Sequence, residues 1–266
     1  MRNLSDIGRI LYGIAMAEMG LQTIYCQDFP YFMLPPVHPG KAGVIILTLI
    51  LGIALTSAGA CIVFRKKARQ VALLFGGLLL LIFCFWHVPY ELIASPNYKL
   101  LGDWENAVKE LALAGGALVI AGCFPGEDKN SFTRLLEKLV RAGAILFALP
   151  IIFFAILHFV YAKEAGNYIP SWIPNHLFWM YFCGAALLGS GIAILSGIQA
   201  RLAAILLGAM IFTWFVILHT PKVITAAAAD RTGELSSAFL ALAYCGIAFV
   251  IAGTSKTSLR HFFKIS

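Results

Sequence analysis

The sequence predicts an all-α membrane protein: eight transmembrane helices arranged as two parallel-repeat four-helix bundles. Three observations predict it. Only 12% of the 266 residues are charged and 60% are apolar, against about a quarter charged in an ordinary soluble domain. The apolar residues gather in eight runs, each close to the roughly 20 residues that span the hydrocarbon of a bilayer. The second half of the chain also repeats the first. Composition alone excludes a soluble globular fold.

The runs fall at 7–25, 42–64, 70–88, 105–123, 139–161, 176–198, 200–219 and 233–253. Each is expected to be a helix, because a helix satisfies its own backbone groups in lipid. Each is also about twice the length of a barrel strand. The first run carries Arg2 and Arg9 before it and Ala15-Met16-Ala17 within it, which imitates a signal-peptide cleavage site. Cleavage there leaves only Ile10–Ile14 as an apolar region, too short for a signal peptide, so the run reads as a retained span. Pro and aromatic residues punctuate the outer loops, in Phe29-Pro30-Tyr31-Phe32, Pro35-Pro36 and Tyr168-Ile169-Pro170-Ser171-Trp172-Ile173-Pro174. Tyr and Trp there suit the interfacial belt. Residues 124–138 hold Pro125-Gly126 and six charges (Glu127, Asp128, Lys129, Arg134, Glu137 and Lys138). They read as a cytoplasmic linker between a first repeat, 1–123, and a second, 139–266, which ends in a short tail.

Lys and Arg divide unequally between the two sides of this layout. Fourteen lie on the side of Arg2, Arg65, Lys66, Lys67, Arg201 and Lys256, and six (Lys41, Lys99, Lys109, Lys163, Lys222, Arg231) on the other. The richer side is cytoplasmic by the positive-inside rule, as in a bacterial-type inner membrane, and both termini lie there. The formal charge of +7 therefore reads as topology signals beside a lipid bilayer, not as a nucleic-acid surface. The six cysteines form no CxxC pair and read as small buried hydrophobes.

The duplication is clearest where residues 68–89 align without gaps on 200–221. Identities include Ala68/Ala200, Arg69/Arg201, Gly76/Gly208, Phe83/Phe215, His87/His219 and Pro89/Pro221. Shared hydrophobicity does not explain the Arg, His and Pro matches. Gly52 and Gly59 meet Gly184 and Gly191, and Val119-Ile120-Ala121-Gly122 meets Val250-Ile251-Ala252-Gly253. Units of four spans make the repeats parallel, related by an axis along the membrane normal. Small residues in the second and sixth spans permit close helix approach, either for packing or to line a ligand cavity.

Ionisable groups inside spans are costly and mark candidate sites. Glu18, Gln22, His87, Lys109 and Glu110 are expected to form one outward-facing cluster in the first repeat. Glu18 corresponds to Phe153 in the second repeat and Lys109 to Leu240, a joint absence that a Glu18–Lys109 pair would produce. Lys109 pairing with Glu105 one turn away is the alternative. His87 and His219 have two readings as well: ligand-binding groups, or helix-end residues two positions before Pro89 and Pro221. His158, His176 and His38 lie near the same surface. No HxxxH, HExxH, Walker, GxGxxG or GxSxG motif occurs, so no metal centre is expected.

The repeat unit resembles the DoxX/DoxD-like integral membrane proteins. The resemblance lies in Gly8-Arg9-Ile10-Leu11-Tyr12-Gly13, a proline-containing first outer loop, Ala68-Arg69, Trp104, Lys109 and Gly115-Gly116-Ala117-Leu118. It covers nearly all of both halves. It implies a link to membrane redox chemistry, as an accessory or quinone-interacting subunit beside other redox-complex subunits, with quinone rather than haem as the ligand. On that reading Glu18 exchanges protons, Lys109 holds it ionised or binds an anionic group, and His87 donates to a quinone oxygen. Gln22, Glu110, His158 and His219 complete the candidate ligand-binding set. A carrier of a lipid or small solute, and a structural partner-binding protein, are the alternatives.

Overall fold

The computed structural model describes residues 2–29, 33–35, 40–95, 99–125 and 138–255. The Pro30–Phe32 segment, Pro36, His38, most of the charged linker and the basic tail after 255 lie outside the described residues. The described chain is helical throughout, with no strand. Its long helices are α1 (Arg2–Cys26), α2 (Gly40–Val63), α3 (Ala68–Ile82), α4 (Glu105–Ala121), α5 (Gly143–Val160), α6 (His176–Ser196), α7 (Ala200–Trp214) and α8 (Arg231–Thr254).

Six helical stretches are long and apolar enough to cross a membrane: Gly43–Val63, Ala68–Ala94, Lys138–Val160, His176–Ser196, Ala200–Thr225 and Arg231–Thr254. Helices α1 and α4 are the predicted spans outside this set. α4 has only 17 residues, and Arg9, Glu18, Gln22 and Thr23 dilute the apolar character of α1. Both are heavily packed by their neighbours: every residue from Ala112 to Ala121 is buried, as are Tyr12, Met16 and Met19 of α1. Helices enclosed by other helices need not be apolar enough to face lipid themselves.

Each helix packs on the next in sequence, α8 returns to pack on α1, and α4 meets α8 across the middle. α1 thus lies along both α2 and α8, and α4 along both α3 and α5. Packing between the sequence halves is as intimate as packing within them, so the halves interlock rather than stand as separate bundles. Two glycine crossings make this possible. A Cβ at Gly8 or Gly246 would strike the other's carbonyl oxygen, and Gly115 and Gly143 meet in the same way. Gly52 and Gly59 of α2 press on the backbone of α1 at Gly20 and Gly13, which assigns these small residues to packing.

The end of the molecule that holds the N-terminus is tied by arginines. Arg9, only 4% exposed, donates to the carbonyls of Ile62 and of Val63 (2.8 Å) at the close of α2. Asp6 lies 3.5 Å from Arg9 and 3.6 Å from Arg65. Arg69 donates to the carbonyls of Ala121 (2.7 Å) and Phe124 at the close of α4. Helix C-termini leave carbonyls without intrahelical partners, and cations there also complement the helix dipole.

Tight turns join α2 to α3 and α6 to α7, with Lys67 (φ 49°) and Gln199 (φ 51°) left-handed at the matching place. Both are exposed. Lys67→Gly and Gln199→Gly are each expected to raise stability by about 1 kcal/mol by removing the Cβ clash of that conformation, measurable as a small rise in Tm in detergent.

The two prolines do not end their helices, contrary to the helix-end reading. A π-helical turn, Phe83–His87, precedes Pro89, and another, Phe215–His219, precedes Pro221. Within them Val88 N–H reaches back five residues to Phe83, and Thr220 N–H does the same to Phe215. The wider turn accommodates a residue that has no N–H and whose ring clashes with the carbonyl four residues back. The first helical run therefore continues through a further π turn, Tyr90–Ala94, and the second through Thr220–Thr225.

Candidate functional site

The candidate residues collect at the end of the molecule opposite the N-terminus, but not as one cluster. Gln22, near the close of α1, is turned toward α8. Its amide Nε2 donates to the Thr232 carbonyl (2.7 Å) and the Ser236 hydroxyl (2.9 Å), and its Oε1 lies 3.2 Å from that hydroxyl. It is a packed bridge between the first and last helices. Lys109 pairs with Glu105 of its own helix at 2.6 Å, which replaces the predicted pair with Glu18. An acceptor one turn away on the same helix needs no tertiary alignment, so the local pair forms.

With Lys109 engaged by Glu105, Glu18 forms no ion pair with it. Glu18 is half-buried, and its Oε2 is sealed from solvent with no hydrogen-bond partner. Glu110 is fully buried, with neither oxygen partnered. A third carboxyl, which the sequence reading did not single out, joins them: Glu91 is 5% exposed with Oε2 unpartnered. The signal for Glu91 was its place four residues after His87, but a helix stopped at Pro89 would have put it in a loop. His87 itself is fully buried on the first π turn.

Two tyrosines frame Glu110. The Tyr12 hydroxyl of α1 donates to the Leu113 carbonyl at 2.8 Å, and that of Tyr244 in α8 lies 3.4 Å from the Lys109 carbonyl. Both acceptors belong to the stretch of α4 that carries Glu110, and both phenols are within electrostatic reach of its carboxyl.

No protein-family model, curated protein or solved structure matches the chain.

The remaining described histidines sit elsewhere. His158 Nδ1 donates to the Phe154 carbonyl (2.8 Å) within its own helix, and His176 Nε2 to the Pro170 carbonyl (3.2 Å). His219 lines a groove of about 630 Å³ with Tyr168, Lys222, Asp230, Glu234 and Ser237. There the Lys222 ammonium lies 4.1 Å from the centre of the Tyr168 ring and 3.7 Å from Glu234. Among the described residues no three His, Cys, Asp or Glu side chains converge as a metal site would require. The chemistry this arrangement offers is proton binding by enclosed carboxyls and hydrogen bonding by phenols and imidazoles.

Proposed function

We propose that the chain is an integral membrane protein of eight spans, two parallel DoxX-like four-helix units, acting as an accessory or quinone-interacting subunit of a membrane redox system. Several correspondences support the two-unit reading. The π turns, the left-handed residues Lys67 and Gln199, and the histidines all recur at a spacing of 132 residues. The α1–α8 and α4–α5 crossings exchange under the duplication with small shifts in register, Gly8 matching Gly143 and Gly115 matching Gly246. The exposed cations of the α2–α3 turn, Arg65, Lys66 and Lys67, support a cytoplasmic placement of that end in a bacterial-type inner membrane, and with eight spans both termini lie there.

One observation carries the functional reading. The first unit encloses the carboxyls of Glu18, Glu91 and Glu110, where the second has Phe153, Val223 and Ala241. Quinone reduction takes up protons with its electrons, so a partner of quinone needs groups that exchange protons within the membrane. Glu18 is the half-buried one of the three, on the stripe of α1 that also carries Gln22, where a lipid-soluble ligand can approach. Binding of a short-chain quinone to the purified protein, followed by quenching of tryptophan fluorescence, tests this. Glu18→Gln is expected to weaken binding about tenfold, the roughly 1.4 kcal/mol of one hydrogen bond. Absence of quinone binding by the unaltered protein would sink the reading.

The groove beside His219 favours a second reading, a carrier for a small polar solute. Solute uptake into vesicles that is lost on Lys222→Met but not on Glu18→Gln would favour that reading over the first.

A further inference from the structure

Glu110 is the one carboxyl among the described residues that is fully enclosed and has no partner on either oxygen. It lies where three helices meet: α4, which carries it, α1 through Tyr12, and α8 through Tyr244. The three lining helices come from both halves of the chain. Among the described residues no cation forms an ion pair with it, and the Tyr12 and Tyr244 phenols are within electrostatic reach.

An ionised carboxylate so placed would carry an uncompensated charge in a medium of low dielectric, which costs several kcal/mol or more. A surrounding bilayer offers no relief. The neutral acid avoids that cost and gains an O–H to donate. Both phenols commit their own hydrogens to carbonyls of α4, and neither is hydrogen-bonded to the carboxyl, so enclosure rather than a partner favours the neutral acid.

We propose that Glu110 holds a proton in the resting protein and is the group that takes up and releases it at the junction of α1, α4 and α8. The exchange involves one proton and no electron: the Glu110 O–H bond breaks as a new O–H bond forms on the reduced quinone oxygen, and the reverse transfer restores the acid. The site is peculiar to the first unit, because Ala241 stands at the matching position of the second. This deepens the quinone reading by naming the proton-exchanging group, and it rests on that reading.

Infrared spectroscopy of the purified full-length protein at neutral pH tests it without any quinone. The carbonyl stretch of a protonated carboxylic acid is expected in the unaltered protein and in Glu18→Gln, and is expected to vanish in Glu110→Gln. Tyr12→Phe is expected to shift the band rather than abolish it. Uniform ¹³C labelling of glutamate in the unaltered protein moves the band if it belongs to a glutamate, which keeps the test independent of whether the variant folds. No such band, or a band that survives in folded Glu110→Gln, overturns the proposal. The band without quinone binding would retain the proton site and discard the redox role; quinone binding without the band would do the reverse.

Discussion

Arg9→Met is expected to lower the unfolding free energy by about 2–4 kcal/mol, the largest effect of any single side-chain truncation at the N-terminal end of the molecule. Arg9 is 4% exposed and its guanidinium serves two carbonyls at the close of α2. Hydrogen bonds from a charged donor contribute about 1.5–3 kcal/mol, and orphaned buried acceptors add their own desolvation cost. Methionine fills the volume and supplies no donor. Lysine is expected to restore only part of the loss, because a single ammonium on a shorter fork cannot span both oxygens as a planar guanidinium does. Asp6→Asn is expected to cost less than about 1 kcal/mol, since Asp6 is 36% exposed and shared with Arg65. Unfolding in mixed detergent, followed by circular dichroism, separates the three. An Arg9→Met protein as stable as the parent would show that water serves these carbonyls equally well.

Arg9 also marks the limit of what a sequence can say. Positive-inside counting correctly treats it as a basic residue at one end of the first helix, but that rule concerns charges facing water. Only the fold shows that it is enclosed and bonded to α2. The helices themselves were legible: predicted 105–123, 176–198 and 233–253 compare with Glu105–Ala121, His176–Ser196 and Arg231–Thr254. Length and apolarity decide such elements, and no partner is needed. The third and seventh predicted spans stopped too early, at 88 and 219, because proline is read as a terminator and a π turn leaves no compositional trace. Glu91 was lost with that error. The Glu18–Lys109 pair failed for a different reason. Joint absence from the second repeat is compatible with any shared function, and Lys109 had a nearer acceptor in Glu105. Which face of a helix meets which neighbour is a tertiary fact, and the candidate site depends on such facts throughout.

Gly246→Ala and Gly8→Ala are expected to be among the most damaging substitutions in the chain, at about 3 kcal/mol or more each. A Cβ at Gly246 would lie 2.5 Å from the Gly8 carbonyl oxygen and 2.8 Å from the Tyr12 nitrogen. Overpacking usually costs about 1–3 kcal/mol when side chains can yield; here the obstacle is backbone, so the two helices must separate. Gly115→Ala and Gly143→Ala are expected to be somewhat milder. Their Cβ atoms would meet backbone at 2.8 Å and 2.9 Å, across the α4–α5 crossing that corresponds to the first. Gly189→Ala, with nothing within 4 Å, is expected to be neutral or to stabilise by up to about 1 kcal/mol through helix propensity. The pattern across all five variants bears on the duplication as well as on packing. Two parallel units demand two severe pairs, because the helices that interlock the halves must cross closely in both places. If Gly115→Ala and Gly143→Ala behave like Gly189→Ala in thermal unfolding, the α4–α5 crossing is not the counterpart of α1–α8. The correspondence of Glu110 with Ala241, on which the asymmetry of the proton site depends, would then lose its geometric support.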